Sequence, residues 1–203
     1  MIVRRETPAD IDAVHRVTAA AFAKPDRPGE TPFEDTLLRE LRGCDGWMPA
    51  LSLVATGPDG QVVGHVLGSR GHVEGAPVVA VGPVSVHPAH QRRGVGLALV
   101  HTLLGAADAM GEPMAVLVGS PVYYSRFGFR PAGAYDVVSP VPEWGVFFQV
   151  RALSAYDPGD PGLRGAFAYA EPFNRGRQTR QSSQSPSVYT SPKCSPWTPE
   201  ISP

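Results

Sequence analysis

Val84-Ser85-Val86-His87-Pro88-Ala89-His90-Gln91-Arg92-Arg93-Gly94-Val95-Gly96-Leu97-Ala98 joins a β-branched run to a helical pattern through a basic turn punctuated by glycine. Gly94 and Gly96 lack the Cβ atoms that would hold a ligand off the main chain, so several N–H groups can converge there on one anion. The positive end of the following helix dipole points at the same spot. That helix is read from Val95, Ala98, Leu99, Thr102, Leu103 and Ala106, whose helical spacing predicts one buried face. Just before the turn, Val78 to Val86 is β-rich but contains Gly82-Pro83. A proline cannot donate to a ladder, which predicts a bulge. A strand bent from its neighbour leaves main-chain groups for an extended, amide-bearing ligand.

Other phosphate-binding loops fit worse. A Walker loop needs Gly-x-x-x-x-Gly-Lys-Ser/Thr, and the region has no lysine. A dinucleotide fingerprint needs a small residue where Leu99 stands and an acidic residue ending the next strand, whereas Glu112 precedes that strand.

Behind Val86-His87-Pro88, the run Gln91-Arg92-Arg93-Gly94-Val95-Gly96 matches the acetyl-CoA motif Gln/Arg-x-x-Gly-x-Gly/Ala. Downstream, Tyr123-Tyr124-Ser125-Arg126-Phe127-Gly128-Phe129-Arg130-Pro131 is similar to a short helix and Gly-Phe turn that open a C-terminal hairpin. On these two motifs the chain, over residues 1 to 170, resembles the GNAT superfamily of N-acetyltransferases.

The resemblance implies a mixed α/β (α+β) fold, with a central, mostly antiparallel twisted sheet, a splayed parallel strand pair and flanking helices. It implies acetyl-CoA as co-substrate. Main-chain groups of Val84, Ser85 and Val86 would hold the pantetheine arm, and Gln91, Arg92, Arg93, Gly94, Val95 and Gly96 the pyrophosphate. An amine would attack the thioester directly, with no acetyl-enzyme. In Tyr-x-x-x-Gly-Phe the family's tyrosine protonates the departing thiolate, a role that falls here on Tyr124. A phenol titrates near ~10 and a thiol near ~8.5, so neutral tyrosine can donate to a nascent thiolate. Tyr123 points about 100° away on a helix and is read as a packing residue. Ser120 stands near where the family often has Asn. Family bases on the bulged strand match Ala80 or Gly82, neither of which takes a proton. Water, His65, His72, Glu34 and His87 stay open as routes for the proton. The expected acceptor is a small-molecule amine. A protein N-terminus or lysine is the alternative acceptor, and an acyl-CoA-binding module without catalysis the alternative class, because acceptor contacts would fall in the segments 24–31 and 68–77.

Composition narrows the classes. At 203 residues and 42% hydrophobic content the chain suffices for one domain with a full core, expected over residues 1–173. No apolar run is long enough to span a bilayer and Met1-Ile2-Val3-Arg4-Arg5 lacks an apolar signal core, so a cytoplasmic protein without a membrane partner is expected. Residues 174–203 carry Arg175, Arg177, Arg180 and Lys193 against Glu200, a net +3 that leaves −4 on the remainder. The acidic body argues against nucleic acid as a partner. Rich in Ser, Pro, Thr and Gln, this tail cannot offset its ordering entropy and is expected to be disordered. Cys44 and Cys194 are read as free thiols. His87-Pro88-Ala89-His90 lacks a third ligand nearby, and no metal is assigned. A monomer or a homodimer fits equally.

Along the chain, Met1 to Glu6 reads as a strand. Thr7-Pro8-Ala9-Asp10 then caps a helix to Phe22 with Ile11, Val14, Thr18, Ala21 and Phe22 inward. Thr31-Pro32-Phe33-Glu34 caps a second helix, with Leu37, Leu38 and Leu41 inward and Gly43 as its stop. Leu51 to Thr56 and Gln61 to Val73 form a hairpin across Gly57-Pro58-Asp59-Gly60. Pro113 to Val118 reads as a buried strand parallel to Val78–Val86, because a helical crossover joins the two. Phe129 to Val138 and Trp144 to Leu153 are predicted to pair as a closing hairpin.

Overall fold

Long runs of Val, Leu and Ala between glycine-rich turns build the sheet. The computed structural model describes residues 1–27 and 29–174. Its strands are β1 (Ile2–Arg5), β2 (Trp47–Thr56), β3 (Val62–Val73), β4 (Ala76–Val86), β5 (Met114–Val118), β6 (Arg130–Pro131), β7 (Val137–Val138), β8 (Phe148–Ala152) and β9 (Gly165–Tyr169). The helices are α1 (Ile11–Phe22), α2 (Phe33–Arg42), α3 (Val95–Ala109) and α4 (Pro121–Tyr124). The sheet runs β1-β2-β3-β4-β5-β8-β6, with β9 joined to β3 and β7. β4 with β5 and β7 with β9 pair parallel, and the remaining pairs are antiparallel. The fold is thus the mixed, mostly antiparallel sheet with a parallel pair and flanking helices.

Helices cover both faces. Val95, Leu99 and Leu103 of α3 pack on Leu53, Val66, Val79 and Leu117 of one face. Val14 of α1 and Leu37, Leu38 and Leu41 of α2 pack on Val54 and Leu67 of the other. Each such leucine, withdrawn from water, contributes about 1.5–3 kcal/mol. A Cβ on Gly64 would lie 2.8 Å from Val95 Cγ1 and 3.0 Å from Leu99 Cδ1. Only glycine there lets the first turn of α3 lie against β3.

The bulge predicted at Gly82-Pro83 is present. Val66 pairs Val84 while Gly68 pairs Val81, so β4 carries one extra residue across that step. β4 pairs β5 only at Val79–Ala115 and Ala80–Val116, although β4 continues to Val86 and β5 to Val118. The two strands therefore part toward their C-terminal ends.

Several local expectations are corrected. The predicted hairpin of Phe129–Val138 with Trp144–Leu153 is broken up: Arg130 and Pro131 alone pair with β8. Pro131 cannot extend a ladder, a 3-10 turn follows over Ala132–Tyr135, and Asp136 at φ 55° sends Val137 and Val138 to β9 instead. Strand β9 has no counterpart among the sequence-based elements. β2 starts at Trp47, earlier than Leu51, with a register break before Ser52 where Pro49 interrupts the ladder. The α2 N-cap is Pro32 instead of Thr31. In α3 the buried set is Val95, Leu99, Val100, Leu103, Leu104 and Ala107, while Thr102 is exposed. This helix is apolar around most of its circumference, so its neighbours decide which residues are buried. On α1, His15 and Val17 are buried, while Ile11, Ala21 and Phe22 are only half-buried. The expected tail lies, from residue 175 onward, outside the described residues; Asn174 still donates its N–H to Glu171 O at 2.8 Å.

Candidate active site

The candidate site lies where β4 leaves β5. Its cradle begins at His87, whose N–H bonds Val63 O at 2.9 Å as the last link to β3. One 3-10 turn over Pro88–His90 follows. Gln91 then folds back, its Nε2 donating to Val86 O at 3.1 Å, which ties the turn to the end of β4. Arg92 at φ 58° and Gly94 at φ 81° are both left-handed, a conformation that glycine adopts freely and arginine at a cost. The first bond of α3 runs from Ala98 N–H to Gly94 O at 2.9 Å. The N–H groups of Val95, Gly96 and Leu97 thus have no helical acceptor and point out of the helix end. Arg92 and Arg93 are exposed beside them.

Val84 and Val86 are half-buried against the α3 side of the core, whereas Ser85 turns to the opposite face. There its Oγ lies 3.0 Å from Thr18 Oγ1, in a fully buried contact between β4 and α1. What Val84–Val86 can present to a ligand is therefore main chain along the edge that β5 has left.

The two tyrosines part company in a definite way. Their rings stand perpendicular, 4.9 Å apart. Tyr123 directs its hydroxyl at α3, 3.0 Å from where a Gly96 Cβ would stand. The Tyr124 ring packs on Gly119, just past the end of β5, so closely that a Cβ at Gly119 would collide with it. Phe129 braces it edge-on at 5.8 Å. Ser120 O accepts from the N–H groups of both Tyr123 and Tyr124, at 3.0 and 2.9 Å. One tyrosine thus touches the candidate anion cradle and the other the strand end where β4 and β5 part.

Behind β4, on the α1 and α2 face, lies a polar seam that sequence reading did not assemble. His65, which pairs Ser85 in register, is fully buried. Its Nε2 lies 2.9 Å from Ser52 Oγ and 3.4 Å from Glu6 Oε2. Ser52 donates in a short bond to Glu6, and Arg42 Nη2 meets Glu6 Oε1 at 2.5 Å. Burial drives the His65 imidazole down toward its neutral form, against the raising influence of Glu6. Burial would lift the Glu6 carboxyl, but hydrogen bonds from His65 and Ser52 and the adjacent charges outweigh it and hold the group below the usual carboxylate range. Beside this group, His15 Nδ1 of α1 forms a short bond with Asp35 of α2, which also accepts from Arg39 at 3.3 Å. The parts of the seam come from the residue after β1 and from α1, α2, β2 and β3, and no local pattern in the sequence announces them.

The other titratable candidates are dispersed. His72 is exposed at the opposite end of β3, paired with Pro77. Glu34 is half-buried in the first turn of α2. His87 uses Nδ1 to accept from Ala89 N–H at 3.3 Å, and its ring stands edge-on to His90 at 5.9 Å. Among the described residues no three metal-ligating side chains gather.

Known proteins share this architecture. A family model described as an acetyltransferase (GNAT) domain matches residues 2–132. The N-acetyltransferase YhbS of Escherichia coli strain K12 is 33% identical over 177 residues, spanning 86% of this chain and 99% of its own length. The crystal structure of YhbS in complex with CoA superimposes with a TM-score of 0.72 at 30% identity, covering 86% of this chain and 92% of that one. A GNAT family acetyltransferase from Brucella melitensis, in complex with acetyl-CoA, gives a TM-score of 0.66 at 33% identity, covering 85% and 97%.

Proposed function

The chain belongs to the GNAT acetyltransferases, and from that membership we propose that it moves the acetyl group of acetyl-CoA to the amine of a small molecule by direct attack. One observation carries the site assignment: the parting of β4 and β5 opens beside the glycine turn at the head of α3. The turn from Gln91 to Gly96 binds the pyrophosphate through backbone N–H groups and helix dipole, with Arg92 and Arg93 adding charge. The edge of Val84, Ser85 and Val86 pairs with the pantetheine amides as an added strand would.

In the ternary complex the amine nitrogen attacks the thioester carbonyl. Collapse of the tetrahedral intermediate breaks the C–S bond, and Tyr124 donates its phenolic proton to the departing sulfur. Its contact with Gly119, at the strand end beside the opening, supports that assignment. Ala80 and Gly82 offer no base on β4, so the amine proton leaves through water or through a group on another element.

Calorimetric titration with acetyl-CoA tests the assignment. The wild type is expected to bind, and folded Gly96→Asp, which adds bulk and negative charge beneath the phosphates, to lose binding. Unchanged affinity in that variant overturns the cradle. Initial-rate patterns with a panel of small amines are expected to intersect, as direct transfer requires, whereas parallel lines would indicate an acetyl-enzyme.

A further inference from the structure

Glu6, His15, Asp35, Arg39, Arg42 and His65 meet between the sheet and the layer formed by α1 and α2. His65 lies deepest, with no exposed surface. Ser52 Oγ gives its proton to Glu6, so the 2.9 Å contact between Ser52 and His65 requires the ring to carry its own proton on Nε2. Nδ1 is then a bare acceptor, buried without a hydrogen-bond partner among the described residues. The seam thus fits one form of the ring, the neutral Nε2–H tautomer. A second proton would sit on Nδ1 as a buried, charged donor with no acceptor, the most costly state for a polar group.

The groups that face the ring come from each element packed around it. Glu6, just past β1, lies 3.4 Å from Nε2; Arg42 of α2 meets Glu6 at 2.5 Å; and His15 of α1 acts on the ring from the covering layer. β2 contributes Ser52, and β4 contributes Ser85, the register partner of His65. Burial lowers the His65 pKa most, Arg42 and His15 act in the same direction, and Glu6 opposes them without prevailing. Glu6, which burial would raise, is held below the usual carboxylate range by its bonds to His65 and Ser52, and so stays ionised where an imidazole titrates. The layer is otherwise held by one apolar cluster, Val14, Leu37, Leu38 and Leu41 on Val54 and Leu67, separate from the core under α3. α1 and α2 can therefore open while α3 stays packed.

We propose that the seam is an acid-sensitive latch, closed over a neutral His65 and opened, with α1 and α2 lifting from the sheet, when His65 takes up a proton. Opening returns the ring to water, where an imidazole titrates near ~6.5. A base whose pKa is lowered by folding leaves the closed form unaffected above that value; below it, the open form gains the proton that the closed form refuses. The latch stands apart from the coenzyme. Its consequence for function rests on the cofactor reading, because α1 also bonds Ser85, in the strand edge proposed to take the cofactor, through Thr18.

Amide hydrogen exchange of the ligand-free protein at about pH 7.5 and about pH 5.5, corrected for the intrinsic pH dependence of exchange, is the test. Amides of α1 and α2 should exchange ahead of those of α3 at both values, and their protection should fall about tenfold between the two. His65→Gln keeps a donor toward Ser52 and cannot titrate, so in that variant the fall should shrink to within about twofold. Protection of α1 and α2 that ignores pH in the wild type overturns the latch. So does exchange of α1, α2 and α3 together, which is global unfolding, and so does an acid fall that survives His65→Gln, which then belongs to His15 or a carboxylate. If His65→Gln does not fold, the His65 ring resonances of the wild type decide. They are expected to report the neutral Nε2–H form down to about pH 5.5 for as long as α1 stays protected, and a titration midpoint near ~6.5 in the closed protein overturns the latch. With no coenzyme in the experiment, neither result bears on the cofactor reading.

Discussion

A single hydroxyl separates Tyr124 from phenylalanine, and the neighbouring tyrosine supplies its own control. Tyr124 packs on Gly119 at the strand end, while Tyr123 reaches Gly96 at the head of α3. A proton needed only as the thiolate departs stabilises the transition state and not the bound substrate. Tyr124→Phe is therefore expected to lower kcat by about 10²-fold or more while leaving the KM for acetyl-CoA within about threefold. Tyr123→Phe should act mainly on KM, because its hydroxyl lies at the anion turn. Steady-state kinetics on both variants decides the matter: equal losses in kcat, or a larger loss in the Tyr123 variant, would exchange their roles.

At the scale of an element, the entry to α1 depends on one carboxylate. Asp10 accepts from Arg4 at 2.7 and 2.8 Å, and from the N–H and hydroxyl of Thr7 at 2.8 and 2.7 Å. These contacts, Arg4 first, depress the Asp10 carboxyl well below the usual range. A group depressed in the folded state stabilises above its unfolded pKa, and that contribution is lost as pH falls toward the folded value. Asp10→Asn is expected to cost about 1–2 kcal/mol at neutral pH, with the gap closing below about pH 4. Thermal melts of both proteins from pH 7 to pH 2.5 read this directly. A gap that stays constant to the acid end would assign the loss to shape alone. Since α1 bonds β4 through Thr18 and Ser85, the capping of α1 also fixes the strand edge proposed to take the cofactor.

Over the whole molecule, core and proposed site share one helix: α3 packs on the sheet through Val95 and Leu99 while its first turn forms the proposed cradle. Ligand held there should stabilise the entire fold. Acetyl-CoA at a hundred times its Kd is expected to add about 2.7 kcal/mol, raising Tm by about 5–10 °C, and Gly96→Asp should abolish the shift. Differential scanning fluorimetry measures both, and an unshifted wild type would contradict the cradle. What the sequence by itself determined is local and repetitive. The glycine turn at Gly94, the bulge at Gly82-Pro83, the stop at Gly43 and the strand–helix–strand crossover each rest on backbone rules that operate within a few residues. What tertiary structure alone decided is where distant segments meet. The order of strands after β5, the diversion of Val137 and Val138 to β9, and the gathering of Glu6, His15, Asp35, Arg42, Ser52 and His65 behind β4 depend on packing between segments far apart in sequence. A buried polar group must find its partner wherever the fold brings one, and no periodicity in the chain records that meeting.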